Sequence, residues 1–182
     1  MVISNVLERL QKHWTVPRSA IHQGEPTFFQ LRCVVDEPAS SSTTRPEFQI
    51  PEELDEFWCV SAGARLFEDA EYGQWGLVLL GPHEVSTETE RFHSSRPNDF
   101  VEGDLILGRF LGDQDLLLMR CNPEERDFGQ LLIALPIDTR RNWYRPASNL
   151  ADFLEAYEQA EGAKYWEDNS DNSQPPQKAD RV

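Results

Sequence analysis

Apolar residues near the start of the chain recur at steps of three and four positions. This spacing predicts an amphipathic helix that Pro17 ends and that buries the stripe Val2, Ile3, Val6, Leu7 and Leu10. A second helix is predicted to begin at Pro51, because proline suits the first turn and the acidic residues that follow complement the positive end of the helix dipole. Gly63 is placed to terminate this helix in a left-handed conformation.

Short apolar runs bounded by glycine, proline, aspartate and asparagine dominate the chain from residue 75 onwards. They predict four strands, at Trp75–Gly81, Asp104–Gly112, Asp115–Cys121 and Phe128–Pro136. The glycine-containing turn between the second and third runs predicts a hairpin. The earlier apolar stretch Pro26–Val35 fits a strand and a buried helix equally well, because periodicity does not separate the two in so short a run.

A closing helix is predicted to begin at a cap, Ser148 or Asn149, and to end at Gly162. Residues 36–47 contain two prolines and a Ser/Thr run and are predicted to form a flexible insertion, whereas residues 168–182 are predicted to form a disordered tail. Residues 1–167 then make one domain. The order of elements predicts an α+β fold, with a largely antiparallel sheet of about five to six strands flanked by N-terminal helices and a C-terminal helix.

The charge balance narrows the classes of partner. The chain has 32 Asp and Glu residues against 17 Lys and Arg residues, a net charge of -15. This excess argues against binding to nucleic-acid phosphates or to an anionic membrane, and it makes a basic protein the natural partner. Three widely spaced cysteines, and an N-terminal segment without a long apolar run, predict a cytoplasmic protein with no signal peptide or transmembrane helix.

Residues with the potential for chemistry are few. The four histidines have no partner at a recognised ligand spacing, and Asp113 and Asp115 flank a turn that lacks the rest of a calcium loop, so they are interpreted as solvated carboxylates. Ser61 lies near a helix end rather than at a strand-to-helix elbow, and Cys59 is expected to pack on the apolar side of its helix. We expect no catalytic residue, no metal and no cofactor. An enzyme that uses a pair of carboxylates is the least favoured alternative.

Four sequence motifs follow one another between Pro51 and Tyr157. They are the helix opening IPEELDEFW, the strand and helix start LVLLGPHEV, the hairpin DLILGRFLGDQDLLLMRC and the helix entry ASNLADFLEAY. In this pattern of apolar and glycine positions the chain resembles the SUKH superfamily, in its branch of bacterial immunity proteins and fungal cell-wall regulators. The resemblance implies an α+β fold without enzymatic activity. For many bacterial members it also implies binding and neutralisation of a cognate polymorphic toxin.

The chain departs from the family pattern in two places. A β-leaning stretch and the Ser/Thr-rich insertion stand where the family has a continuous helix before the proline-headed one. The polar, proline-containing tail is also extra. Both departures lie outside the four motifs.

Two segments are candidate partner-binding sites. The first, FEDAEYGQW, is interpreted as a loop that interleaves carboxylates with the aromatic anchors typical of protein interfaces: Glu68, Asp69, Glu71, Tyr72 and Trp75. Trp75 is equally consistent with a core position at the start of the next strand. The second, IDTRRNWYRP, carries Trp143 and Tyr144 among arginines. Its alternative is structural, with Trp143 packed under the loop and the arginines paired with acidic residues.

These observations give one hypothesis and one alternative for function. The hypothesis is a non-catalytic immunity protein that binds and neutralises a basic toxin by steric and electrostatic complementarity. The alternative is an intracellular scaffold or regulator of the same fold that binds a host protein.

Overall fold

The structure, a computed structural model, describes residues 2–38 and 49–168. Its helices are α1 (Val2–Trp14), α2 (Glu52–Val60), α3 (Pro82–Ser95), α4 (Leu150–Gln159) and α5 (Tyr165–Asp168), with a 3-10 turn at Arg140–Asn142. Its strands are β1 (Ile21–His22), β2 (Glu25–Pro26), β3 (Leu31–Val35), β4 (Ala64–Asp69), β5 (Leu77–Leu79), β6 (Asp104–Phe110), β7 (Leu116–Arg120) and β8 (Leu131–Ala134). The insertion predicted at 36–47 lies outside the described residues from 39 onwards, and the tail predicted at 168–182 lies outside them from 169 onwards.

The six strands β3 to β8 form one sheet in which each strand pairs antiparallel with the next along the chain. β1 and β2 form a separate small hairpin. The predicted α+β class, with N-terminal helices and a C-terminal helix around an antiparallel sheet, is confirmed. No helix in the described ranges is long and apolar enough to cross a membrane.

The predicted apolar stripe explains how α1 packs. Ile3, Val6, Leu7 and Leu10 are buried, and Trp14 extends the stripe by one turn. Val2, which was predicted to be buried with them, is 51% exposed because it lies at the start of the helix. α1 lies against α2, α4 and β3, so these three helices cover one face of the sheet. α3 packs on β6 from the other face, where Thr89 Oγ1 accepts a hydrogen bond from the Ile106 backbone N–H at 2.9 Å. β8 is buried at every position because it is covered from both sides.

Two details of the first half differ from the sequence prediction, and one alternative that was left open is decided. Pro26–Val35 is not helical, because it contains β3, and β4 was not predicted as a strand. Gly63 does not terminate α2, which ends at Val60 and leaves Ser61 extended. The cause is the Ser61 hydroxyl, which lies 2.5 Å from the Gly63 carbonyl oxygen and 3.0 Å from that of Asp36, so the chain turns directly into β4.

The end of α4 also differs from the prediction. Asn149 is the cap, since its Oδ1 accepts a hydrogen bond from the Asp152 N–H at 2.8 Å. α4 ends at Gln159, and the chain then passes through two residues of positive φ, Glu161 at 50° and Gly162 at 82°. The N–H of Glu161 donates to the Glu158 carbonyl, and the N–H of Gly162 donates to the Tyr157 carbonyl, which is the double bond pattern of a Schellman motif.

A cluster of aromatic rings joins the C-terminal helices to the sheet. Phe67 on β4 contacts Trp14 at 4.9 Å and Tyr157 at 5.3 Å between ring centroids. Trp166 on α5 packs against Phe110 at 5.3 Å. At the edge of this cluster, Lys164 Nζ lies 5.4 Å from the centroid of the Phe110 ring and pairs with Asp113 and, at 2.6 Å, with Asp115. Asp115 is therefore buried in an ion pair rather than solvated as predicted.

We expect Phe153→Ala to lower the free energy of unfolding by about 3–5 kcal/mol, because it removes a fully buried ring and leaves a cavity. Urea denaturation of the full chain measures the change. The matched control is Phe28→Ala, which removes the same atoms from a fully exposed position and is expected to cost less than about 0.5 kcal/mol. Equal losses in the two variants would contradict the assignment of Phe153 to the core.

Candidate functional site

The first predicted binding segment is only partly a loop. Glu68 and Asp69 lie in β4, so their interpretation as loop residues is wrong. The Glu68 carboxylate pairs with Arg32 on the neighbouring strand at 3.0 Å, and this pairing lets an acidic residue occupy the sheet. Asp69 is buried, and its Oδ1 accepts the Glu71 N–H at 3.0 Å. Both carboxylates thus shape the end of β4.

Glu71 and Tyr72 occupy the turn after β4 and are exposed, as the loop interpretation required. Tyr72 is 69% exposed. A hydrogen bond to the Glu71 carboxylate, together with its charge, raises the pKa of the Tyr72 hydroxyl. Tyr72 therefore presents an uncharged ring edged by negative charge.

Trp75 matches the core alternative better than the anchor alternative. Its side chain is half-buried, and its Nε1 donates to the Gly162 carbonyl at 3.1 Å. The ring packs against His22 at 5.5 Å and Phe29 at 5.7 Å between centroids. Trp75 is thus held in one position by the end of α4 and supports the β1–β2 hairpin through His22.

Residues 28–30 lie next to Trp75 and to the turn after β4. The Ala70 N–H donates to the Gln30 carbonyl at 2.8 Å, which fixes the turn after β4 beside residues 28–30. Phe28 is fully exposed and Ile21 is 51% exposed. We name this surface the aromatic face. It consists of the exposed residues Ile21, Phe28, Glu71 and Tyr72 and the packed rings of Phe29 and Trp75. Ile21 and Phe28 were not predicted from the sequence. The one available signal was that Phe28 and Phe29 are adjacent: in an extended chain their side chains point to opposite sides, so one of the two rings is directed away from the core.

The second predicted segment has the structural role that was its alternative. Trp143 is buried, and its Nε1 donates to the Asp138 carbonyl at 3.1 Å. The guanidinium groups of Arg96 and Arg140 lie 5.4 Å and 5.3 Å from the Trp143 ring. Tyr144 is half-buried, and its carbonyl accepts the Ile133 N–H at 3.0 Å. The segment thereby shields the edge strand β8.

A buried charge network anchors that segment. Asp104, whose side chain is 0% exposed, accepts hydrogen bonds from Arg120 Nη1 at 2.6 Å and from Arg140 Nη1 at 2.6 Å. The Val101 N–H donates to the same carboxylate at 2.8 Å. Burial alone lowers the pKa of Arg120, but the hydrogen bonds and charges of Asp104 and Asp127 outweigh burial and raise it. The charges of this network are satisfied internally, so they are not offered to a ligand.

Asp99 extends the network to the end of α3. Its Oδ1 accepts the Arg140 backbone N–H at 2.9 Å, and its Oδ2 pairs with Arg96 Nη2 at 2.8 Å. The backbone hydrogen bond is the largest cause that lowers the pKa of Asp99, and Arg96 adds to it. Asp99 is therefore stabilised in its ionised form.

A cleft of about 640 Å³ opens between α3 and the turn that follows β7. Phe100 and Leu105 contribute apolar surface, and the polar lining includes carboxylates from Glu90, Glu102 and Glu124. Asp104 also lines the cleft, but its oxygens are already bonded to arginines. The hydroxyls of Ser86 and Thr89 also line the cleft, and Thr89 Oγ1 already accepts the Ile106 N–H.

The residues considered for chemistry are placed as follows. Burial raises the pKa of Cys33 and of Cys121 to about 12, so both remain thiols. Cys59 is exposed, so the prediction that it packs against the core is wrong. Ser61 is buried, with its hydroxyl directed at backbone carbonyls. Across residues 2–38 and 49–168, no three or more His, Cys, Asp or Glu side chains gather where a metal ion would fit.

No protein-family model matches the chain, and no curated protein matches it at a significant level.

We expect Asp104→Asn to lower the free energy of unfolding by about 3 kcal/mol, because it removes the charge that compensates two desolvated guanidinium groups. Asp127→Asn is the matched control, since Asp127 pairs with the same Arg120 but its side chain is 40% exposed. The control is expected to cost no more than about 1 kcal/mol. Urea denaturation compares the two variants, and similar costs would show that burial does not set the strength of this network.

We expect Asp99→Asn to reduce the acid sensitivity of the protein. A carboxyl group with a lowered pKa in the folded state stabilises the fold above its ordinary value of 3.8, and this contribution is lost as the pH falls through the folded pKa. Unfolding free energies of both proteins, measured from about pH 6 to about pH 3, should converge towards the acid end. A constant difference across this range would contradict the assigned role of the ionised carboxylate.

Proposed function

We propose that the chain is a non-catalytic protein-binding module of the SUKH type, a cytoplasmic immunity protein that binds and neutralises a basic toxin. The aromatic face is the observation that carries this proposal. Exposed aromatic and aliphatic side chains, grouped and edged by carboxylates, are typical of the centre of a protein interface.

The aromatic face is held rigidly, which favours binding. The Ile21 N–H donates to the Glu161 carboxylate at 2.6 Å, and His22 Nε2 lies 3.1 Å from the Glu161 carbonyl oxygen. Trp75 bonds to Gly162, the next residue. The hairpin and the β4–β5 turn are thus both tied to the end of α4. A surface ordered before binding loses less conformational entropy when the complex forms.

The charge of the molecule supports a basic partner. The net charge is -15, and Glu25 on β2 and Glu71 on the turn after β4 are both exposed. Such a field accelerates association with a positively charged protein and weakens as salt is added. Steric blockage by a bound domain is sufficient to neutralise an enzyme, so the role requires no chemistry from this chain.

The proposal is tested by co-expressing the full chain with the toxin encoded by the neighbouring gene. We expect a stable complex that survives size-exclusion chromatography and restores growth of the host cells. Capture of a housekeeping protein instead, with no binding to any neighbouring toxin, would favour the scaffold or regulator and overturn the immunity role.

Within such a complex, we expect Phe28→Ala and Tyr72→Ala each to speed dissociation by about 30-fold, as truncation of a desolvated aromatic anchor costs roughly 2 kcal/mol. The association rate should change little, because neither substitution alters charge. Surface plasmon resonance measures both rates. Ile137→Ala is the matched control, since Ile137 is an exposed apolar residue on the loop after β8. If all three variants behave alike, the aromatic face is not the interface.

A further inference from the structure

One row of the sheet is open to solvent on the face that α3 partly covers. Strand register places five residues side by side across β3 to β7: Val34, Arg65, Val78, Arg109 and Leu116. Residues opposite one another on adjacent strands point to the same face. We name this set the arginine row.

The arginine row is accessible. Arg65 and Arg109 are exposed, and Val34, Val78 and Leu116 are half-buried. Ile106 and Leu118, paired on the same face nearer to α3, are buried. α3 therefore covers part of this face, and none of the helices in the described ranges continues over the row.

The row is locally positive on an acidic protein. Glu68 neutralises Arg32 at 3.0 Å and reaches Arg65 only at 3.9 Å. Arg109 makes no ion pair with any described residue. Of these three arginines, two share one carboxylate and the third has none among the described residues, although the whole chain has a net charge of -15. Apolar Val78 lies between the two exposed cations.

We infer that the arginine row docks a helix of a partner protein, one that carries an apolar stripe flanked on both sides by carboxylates. Arg65 and Arg109 are separated by two strand spacings, roughly 10 Å, which matches the diameter of a helix of about 10 Å. A helix lying along β5 would set its apolar stripe on Val78 and its two acidic flanks against Arg65 and Arg109. It would extend the helical layer that α3 begins.

This inference does not rest on the partner proposed for the aromatic face, because it uses different residues and the opposite sign of charge. The probe is a synthetic 16-residue helical peptide with leucines at the a and d positions of two heptads and glutamates at e and g. Repulsion between its own glutamates keeps it monomeric at neutral pH. Fluorescence anisotropy with the labelled peptide and the full chain measures affinity.

We expect this peptide to bind at least about tenfold more tightly than a version with glutamine at e and g, because two charge-assisted pairs are lost in the latter. R65Q/R109Q should weaken binding by a similar factor. R126Q/R141Q is the matched control, since it removes two exposed arginines elsewhere and should leave affinity unchanged. Methyl NMR signals of Val34, Val78 and Leu116 should shift on titration.

Three results would overturn the inference. The first is equal binding of the glutamate and glutamine peptides. The second is an equal loss in R65Q/R109Q and in R126Q/R141Q, which would indicate a response to net charge alone. The third is undiminished binding of a glutamate peptide in which two prolines prevent a helix, since the docking geometry requires one. Phe28→Ala should bind the peptide like the unmodified chain, which separates this site from the aromatic face.

Discussion

The close approach of Phe67 and Gly162 is the constraint on which the arrangement of this molecule depends. Phe67 sits in a bulge of β4 with φ of 52°, where a bulky residue is strained by roughly 1–3 kcal/mol. Its N–H points to Cys33 Sγ at 3.2 Å, and its ring is buried between Trp14 and Tyr157. A Cβ atom at position 162 would collide with the Phe67 side chain, so only glycine permits the contact.

This contact places the end of α4 against β4. The residues that hold the aromatic face in place, Glu161 and Gly162, are therefore positioned by it. Glu161 takes up the left-handed conformation just before Gly162, which brings its carboxylate to the hairpin and its neighbour's carbonyl to Trp75. Asp104, at the start of β6, holds a second segment in place: its carboxylate binds Arg140, whose guanidinium group lies on the Trp143 ring. An apolar contact between Phe67 and Gly162 and a polar network around Asp104 thus each fix a connecting segment against the same sheet.

Prediction of helices and strands from the sequence succeeded where the apolar periodicity was clear and where proline or glycine marked the ends of an element. The stripe of α1 from Ile3 to Leu10, the proline start of α2 and the hairpin between β6 and β7 have short-range causes, and the chain forms them as predicted. β4 was missed because Glu68 and Asp69 resemble a loop unless Arg32, more than thirty positions earlier, is known to be adjacent. The contact of Gly162 with Phe67 was missed for the same reason, since the two residues lie far apart in the sequence.

The distribution of cations explains why composition alone misjudges the surface. Arg96, Arg120, Arg140 and Lys164 are directed into ion pairs or onto aromatic rings within the fold. Their positive charge is paired within the fold, chiefly with the buried carboxylates of Asp104 and Asp115, so it contributes little to the exposed surface of the described residues. Arg65 and Arg109 are conspicuous against that background, because they are exposed on an open sheet without full compensation. An acidic surface interrupted by one basic row can orient a partner as well as attract it, since a rotated partner would place its like charges in opposition.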